Sequence, residues 1–192
     1  RLALDSMQIM PAAQSPLKAQ HSVSAEHRLA MLDLALTEFP DLELDMREID
    51  RDGPSYTIDS LKALRDEVGS EVTIYFVIGD DLLPTLNHWS RWQTLTDYAH
   101  LIVVKRPGQF IDIPSEVIAW WHGRERPLAE LSSVQYGRVS RLESSLFDIS
   151  SSEIRELLKS GEREIEMIPY PVMEYIKTHK LYEFSSHIEA LL

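Results

Sequence analysis

The stretch EVTIYFVIGDD, Glu71 to Asp81, decides the fold. Val72, Ile74, Tyr75, Phe76, Val77 and Ile78 form a nearly continuous apolar run of strand length. A run without polar alternation predicts burial on both faces, as in a parallel sheet. Gly79, Asp80 and Asp81 follow at its carboxyl end, the edge where open α/β sheets bind ligands. Downstream, RWQTLTDYA (91–99) predicts a short helix and HLIVVKR (100–106) a second strand, broken by Pro107 and Gly108. Upstream, IDSLKALRDEVG (58–69) predicts a helix stopped at Gly69, entered through the turn RDGPSYT (51–57). DLELDMRE (41–48) predicts a strand. SAEHRLAMLDLALTEF (24–39) predicts a helix capped by Ser24, with Leu29, Leu32 and Leu36 on one face. DSMQIMP (5–11) predicts a strand ended by Pro11, followed by the polar loop AAQSPLKAQHSV (12–23). Further on, SEVIAWWHG (115–123) predicts a helix and GRVSRLESSLFDIS (137–150) contains a strand. SSSEIRELLKSG (150–161) and PVMEYIKTHKLY (171–182) predict the two helices that close the core. This alternation is that of an α/β protein with a mostly parallel sheet.

Composition narrows what such a protein can do. The chain has 192 residues, a hydrophobic fraction of 44%, and a net charge of −12. That charge argues against broad nucleic-acid binding, which needs a basic surface. An anionic small ligand requires a few cations converging locally. No cysteine is present, which excludes disulfides and thiolate metal sites. No apolar run is long enough to span a bilayer.

One place where cation and anion chemistry converge is ISSSEIR, Ile149 to Arg155. Ser150 and Glu153 have capping-box spacing. Ile154, Leu157 and Leu158 form an apolar stripe, and Gly161 stops the helix. A purely structural helix start explains these residues but not Arg155, because a cation is unfavourable near a helix N-terminus. Ser151 and Ser152 lie four and three residues before Arg155 and share its face. Free amides, hydroxyls and a guanidinium at one place make a phosphate site. As a bare pattern, the structural reading is the commoner one.

Context shifts that balance. ISSSEIR resembles the signature of the nucleotidyltransferase superfamily. GPSYTIDSLKALRDE, FVIGDDLLPTLNHWSRW, AHLIVVKRPG and PVMEYIKTHKLY resemble segments of the bacterial nicotinate-nucleotide adenylyltransferases of NAD biosynthesis. MPAAQSPLKAQHSVSAEHRLAML resembles that family's proline-rich substrate loop and the helix after it. The similarity runs from about Leu4 to Tyr182. It implies a Rossmann-like, mostly parallel sheet with helices on both faces. It also implies one nucleotidyltransferase domain over residues 1–184, a short tail over 185–192, and a cytoplasmic enzyme.

The resemblance implies a reaction between ATP and nicotinate mononucleotide, with residues in named places. Tyr56 and Thr57 start a helix whose main-chain amides hold the nicotinate carboxylate. A structural alternative is that Thr57 caps that helix. Trp89 is the position that stacks on the pyridine ring, whereas Trp92 is packing. On the ATP side the resemblance places Gly79, Asp81, Arg106, Ile149, Ser151, Ser152 and Arg155. One of the two aspartates has a helix cap as its alternative role, and Arg106 a solvated surface arginine. Lys18 and Arg155 are the catalytic cations. Lys18 departs from the family pattern, since Leu17 stands where the family has a histidine. Mg2+ is implied as a cofactor bound through substrate phosphates, with no protein metal ligands and no nucleic-acid or membrane partner.

The family's glycine-rich H-x-G-H loop, which follows its first strand, has no counterpart among the seven histidines of this sequence. That predicts a missing βα unit upstream of Arg1 and impaired turnover of the 192 residues alone. Two alternatives stay open. One is a superfamily adenylyltransferase acting on nicotinamide mononucleotide or pantetheine phosphate. The other is a non-catalytic nucleotide-binding protein.

Overall fold

A computed structural model describes residues 2–12, 23–105, 112–143, 150–162 and 164–184. The chain divides into two compact units. The first comprises Arg1–Leu4 and Ser55–Asp148, the second Asp5–Pro54 and Ile149–Leu192.

The second unit begins with strand β1 (Met7–Ile9) and helix α1 (Ala25–Leu36), followed by strand β2 (Leu42–Leu44). β1 and β2 pair in parallel, Met7 opposite Leu42 and Ile9 opposite Leu44. Ser24 caps α1 as expected, its hydroxyl accepting the His27 amide at 3.3 Å. The expected stripe of α1 is corrected. Leu29, Leu32 and Leu36 are half-buried, while Met31 is the buried residue and Leu34 and Ala35 pack with it. Met31, Leu34 and Ala35 have the i, i+3, i+4 spacing of one helix face, and the apolar residues of α1 continue around the helix.

The first unit contains α2 (Thr57–Val68), β3 (Tyr75–Gly79), β4 (His100–Lys105), α3 (Ser115–His122) and β5 (Val139–Glu143). Its three strands form one parallel sheet in the order β3-β4-β5. Residues Asp80–His88, Trp92–Asp97 and Leu128–Ser133 are 3₁₀-helical. The parallel pairing predicted from the apolar run of β3 is present. Burial on both faces is not: Val77 is 55% exposed, whereas its β4 neighbour Ile102 is 1% exposed. β4 lies between two strands, but β3 pairs only with β4 among the described residues, so the central strand gains the double coverage. Ile58 and Leu61 of α2 are buried with Ile78, Leu101, Val103 and Val139 of the sheet. Each such side chain contributes about 1.5–3 kcal/mol.

The second unit is completed by α4 (Ser151–Lys159), α5 (Tyr170–Thr178) and a short 3₁₀ turn, Leu181–Glu183. α4 ends as Gly161 predicts. Gly161 has φ 85°, its amide donates to the Leu158 carbonyl, and the Glu162 amide donates to the Leu157 carbonyl. This is the two-bond closure that satisfies terminal carbonyls and favours glycine. Leu158 is buried and Ile154 half-buried, but Leu157, expected in the same stripe, is exposed. The apolar stripe of α4 is narrower than its sequence suggested. The predicted tail 185–192 lies outside the described residues.

Candidate functional site

The start of α2 is an extended residue followed by a helix with no side-chain capping bond. Tyr56 is the N-cap, at φ −102° and ψ 126°, and its side chain makes no capping bond. Thr57 is the first helical residue, so the capping role weighed for it is not taken up; the cap falls one residue earlier. The Tyr56 carbonyl accepts the amides of Asp59 and Ser60 at 3.0 and 3.2 Å. The amides of Tyr56, Thr57 and Ile58 find no acceptor among the described residues. Such amides sit at the positive end of the helix dipole and suit a carboxylate.

Asp59, in that first turn, would repel an incoming carboxylate, but its charge is met. Arg91 Nη2 donates to Asp59 Oδ1. Both partners are largely exposed, so the pair contributes at most about 1 kcal/mol. Its consequence is placement, because Arg91 stands two residues after Trp89 and the ion pair ties that segment to the start of α2. Arg91 holds the left-handed backbone region at φ 50°. Trp89 is half-buried and packs against the core of the unit. Trp92 is buried and meets Trp120 edge-on at 5.4 Å, the packing role expected of it. Neither Arg91 nor Asp59 stood out in the sequence. Their signal was a basic residue between two tryptophans and an acid in the helix's first turn.

At the carboxyl end of β3, Gly79 has φ −75° and ψ 153°. Any residue adopts that conformation, so what glycine offers there is the absence of a side chain. Asp80 is buried and Asp81 exposed. Asp81 is therefore the aspartate that a ligand can reach.

The second unit carries the other helix start. The Ser150 amide donates to Glu153 Oε2 at 2.6 Å, and Ser150 Oγ accepts the Glu153 amide at 3.2 Å. This is the predicted capping box. The Ser150 hydroxyl, and then its amide, hold the Glu153 carboxyl below the usual range. Ser151 and Ser152 are exposed, and their amides and hydroxyls make no hydrogen bond as donors among the described residues. Arg155 Nε donates back to the Ser151 carbonyl at 2.8 Å, which folds the guanidinium toward the helix start. The three residues therefore share one face, as their spacing predicts.

Burial pushes the Tyr182 phenol up, while the guanidiniums of Arg155 and Arg28 act in the opposite direction. Arg28 also donates from Nη1 to the Ala12 carbonyl at 2.6 Å, anchoring the chain just before residue 13. Arg28 was not singled out from the sequence; only its place beside His27 in a helix start marked it. Lys18, Arg106 and Ile149 lie outside the described residues. Among the described residues, no group of three or more His, Cys, Asp or Glu side chains could hold a metal ion.

The cytidylyltransferase-like family model matches residues 2–157. A "Probable nicotinate-nucleotide adenylyltransferase" of Cellvibrio japonicus (strain Ueda107) is 37% identical over 182 residues, covering 95% of this chain and 86% of that protein. This chain belongs to the nicotinate-nucleotide adenylyltransferase family. A second relative with the same description, from Marinomonas sp. (strain MWYL1), is 39% identical over 183 residues, covering 95% of this chain and 83% of that protein. The adenylyltransferase fold is shared with Plasmodium falciparum nicotinic acid mononucleotide adenylyltransferase. Its structure complexed with NaAD matches at TM-score 0.66 and 18% identity, and the one complexed with APC at 0.64 and 19%. Each comparison covers 94% of this chain and 83% of that one.

Proposed function

We propose that this adenylyltransferase joins nicotinate mononucleotide to the AMP part of ATP, releasing pyrophosphate and forming nicotinate adenine dinucleotide. The observation that carries the reading is the start of α2. Its amides at Tyr56, Thr57 and Ile58 lack partners among the described residues, and the Arg91–Asp59 pair ties the Trp89 segment to the same turn. Amides that accept a carboxylate, with a flat aromatic ring carried on the tied segment, match a pyridine ring bearing a carboxylate.

In the reaction, an oxygen of the mononucleotide phosphate attacks the α-phosphorus of ATP. The bond from that phosphorus to the β-phosphate oxygen breaks, and pyrophosphate leaves. No covalent protein intermediate is needed, so the chain's task is positioning and charge neutralisation. The Ser151 and Ser152 amides and hydroxyls hold phosphate oxygens, and Arg155 offsets their charge. Gly79 lets the nucleotide approach the backbone, with Asp81 beside it. Arg106 and Ile149 act on the nucleotide side in this reading, and Lys18 is a catalytic cation together with Arg155. Mg2+ carried on the polyphosphate would neutralise the leaving group, with phosphate oxygens and water as its ligands.

The test incubates the natural full-length protein with ATP and either nicotinate or nicotinamide mononucleotide, following dinucleotide and pyrophosphate together. Product with the nicotinate substrate is expected. Product with the nicotinamide substrate alone would move the reading to the amide, and no product with either would overturn it.

A further inference from the structure

The segment before β5 surrounds a cavity of about 420 Å3 within the first unit, lined among others by Arg124, Arg126, Tyr136, Gly137 and Arg138. In a chain of net charge −12, three arginines lining one cavity call for a reason. None of the three forms an ion pair with a carboxylate among the described residues. Arg124 donates to Thr96 Oγ1 and to the Trp120 carbonyl, each at 3.2 Å, and lies 4.9 Å from the centre of the Trp120 ring. Arg126 donates to the Glu125 carbonyl at 2.6 Å. Arg138 donates to the Glu130 carbonyl and to Ser133 Oγ. These acceptors are neutral, so they orient the guanidiniums without discharging them. The adjacent Glu125 carboxylate instead lies 3.7 Å from Arg141 and 4.0 Å from His122.

The cavity wall is fixed from beneath. His100 is wholly buried; its Nε2 donates to the Val134 carbonyl at 2.9 Å, and its Nδ1 accepts the Arg138 amide at 3.2 Å. These bonds pin both flanks of the turn Gln135-Tyr136-Gly137. Arg65, buried at the end of α2, lies 5.4 Å from the centre of the Tyr136 ring. The amides of Gln135, Tyr136 and Gly137 find no acceptor among the described residues. Gly137 takes φ 99°, which favours glycine at the turn. Arginines without a carboxylate partner, together with amides that lack an acceptor among the described residues, are the donor types that phosphate oxygens need. The cavity sits at the amino ends of the strands, since Arg138 precedes β5. Gly79 lies at the carboxyl end, four residues beyond the level of Tyr75 and His100, or roughly 13 Å along the sheet.

We propose that this cavity is a second anion site, distinct from the adenylyl-transfer site, that takes the phosphate group of a small molecule. The test is calorimetric titration of the full-length protein with inorganic pyrophosphate while the transfer site is saturated with nicotinate mononucleotide and a non-hydrolysable ATP analogue, which together fill its phosphate positions. Binding of the mononucleotide and of the analogue is measured first, so failure of the proposed function is read separately. One equivalent of pyrophosphate should still bind. Arg126→Glu, at an exposed position that leaves the fold intact by circular dichroism, should weaken it about tenfold or more. Arg155→Ala should leave it unchanged. ADP as a second probe separates the sources. Tighter binding of ADP than of pyrophosphate, with the difference lost in Tyr136→Ala, marks a nucleotide phosphate; equal binding marks a free phosphate anion. Absence of pyrophosphate binding at millimolar concentration, or binding indifferent to Arg126→Glu, would overturn the proposal.

Discussion

Proline at position 57 would remove a single main-chain donor from the proposed carboxylate site and little else. Thr57 is the first residue of α2, and its amide has no partner among the described residues. Proline is well tolerated at that position, because the lost N–H is not part of the helix ladder. The residue before a proline must be extended, and Tyr56 already is, at φ −102° and ψ 126°. The substitution should therefore leave stability nearly unchanged while deleting one of three candidate donors. A hydrogen bond to a charged group contributes about 1.5–3 kcal/mol, so the KM for nicotinate mononucleotide should rise about 10- to 150-fold. The KM for ATP should not move. Thr57→Ala is the control, since it loses the hydroxyl and keeps the amide; it should behave like the parent. Steady-state kinetics, with thermal melts on all three proteins, decide the matter. A Thr57→Pro enzyme that melts normally and keeps its mononucleotide KM would refute recognition through the α2 amides.

Two further site substitutions should separate the substrates. Trp89→Ala should raise the mononucleotide KM by about 2- to 12-fold, the worth of aromatic stacking, with the ATP KM unchanged. Arg155→Ala should raise the ATP KM about tenfold or more, and Arg155→Lys should restore only part, because an ammonium cannot form the paired bonds of a guanidinium. Equal effects on both substrates would contradict these assignments. Stability should also carry the signature of His100, whose pKa burial lowers, opposed by the hydrogen bond it makes to the Val134 carbonyl. The unfolded chain takes up a proton at about pH 6.5 that the folded chain refuses until its lowered pKa is reached. Stability should therefore fall as pH drops through that window, by up to about 1.4 kcal/mol per pH unit. Denaturant midpoints measured down to pH about 5 should fall more steeply for the parent than for a folded His100→Asn variant.

What could be foreseen from residues 1–192 follows the range of the forces involved. The Ser150–Glu153 capping box and the Gly161 closure of α4 are written in neighbouring residues, because the partners lie within one or two helical turns. The parallel pairing of β3 and β4 was legible because each strand is nearly all apolar. Exposure was not: an apolar run cannot say whether its strand is central or at an edge, and Val77 of β3 ended outside the core, while helical spacing alone does not set the width of a buried stripe, and Leu157 of α4 is exposed. Least legible were the pairs joined across long separations. Asp59 with Arg91, Arg28 with the Ala12 carbonyl, and His100 with Val134 and Arg138 have no local period or spacing to betray them. Those pairs place the groups that the local motifs only name. The start of α2 is open to an anion because the Tyr56 side chain makes no capping bond, but a carboxylate would be welcome there only because a residue 32 positions away offsets Asp59. A motif thus identifies the donor, and the fold decides whether its charge is available. Arg91→Ala should consequently weaken mononucleotide binding through the exposed Asp59 carboxylate, and Asp59→Asn in the same protein should restore it. Failure of that rescue would mean that the pair only shapes the loop.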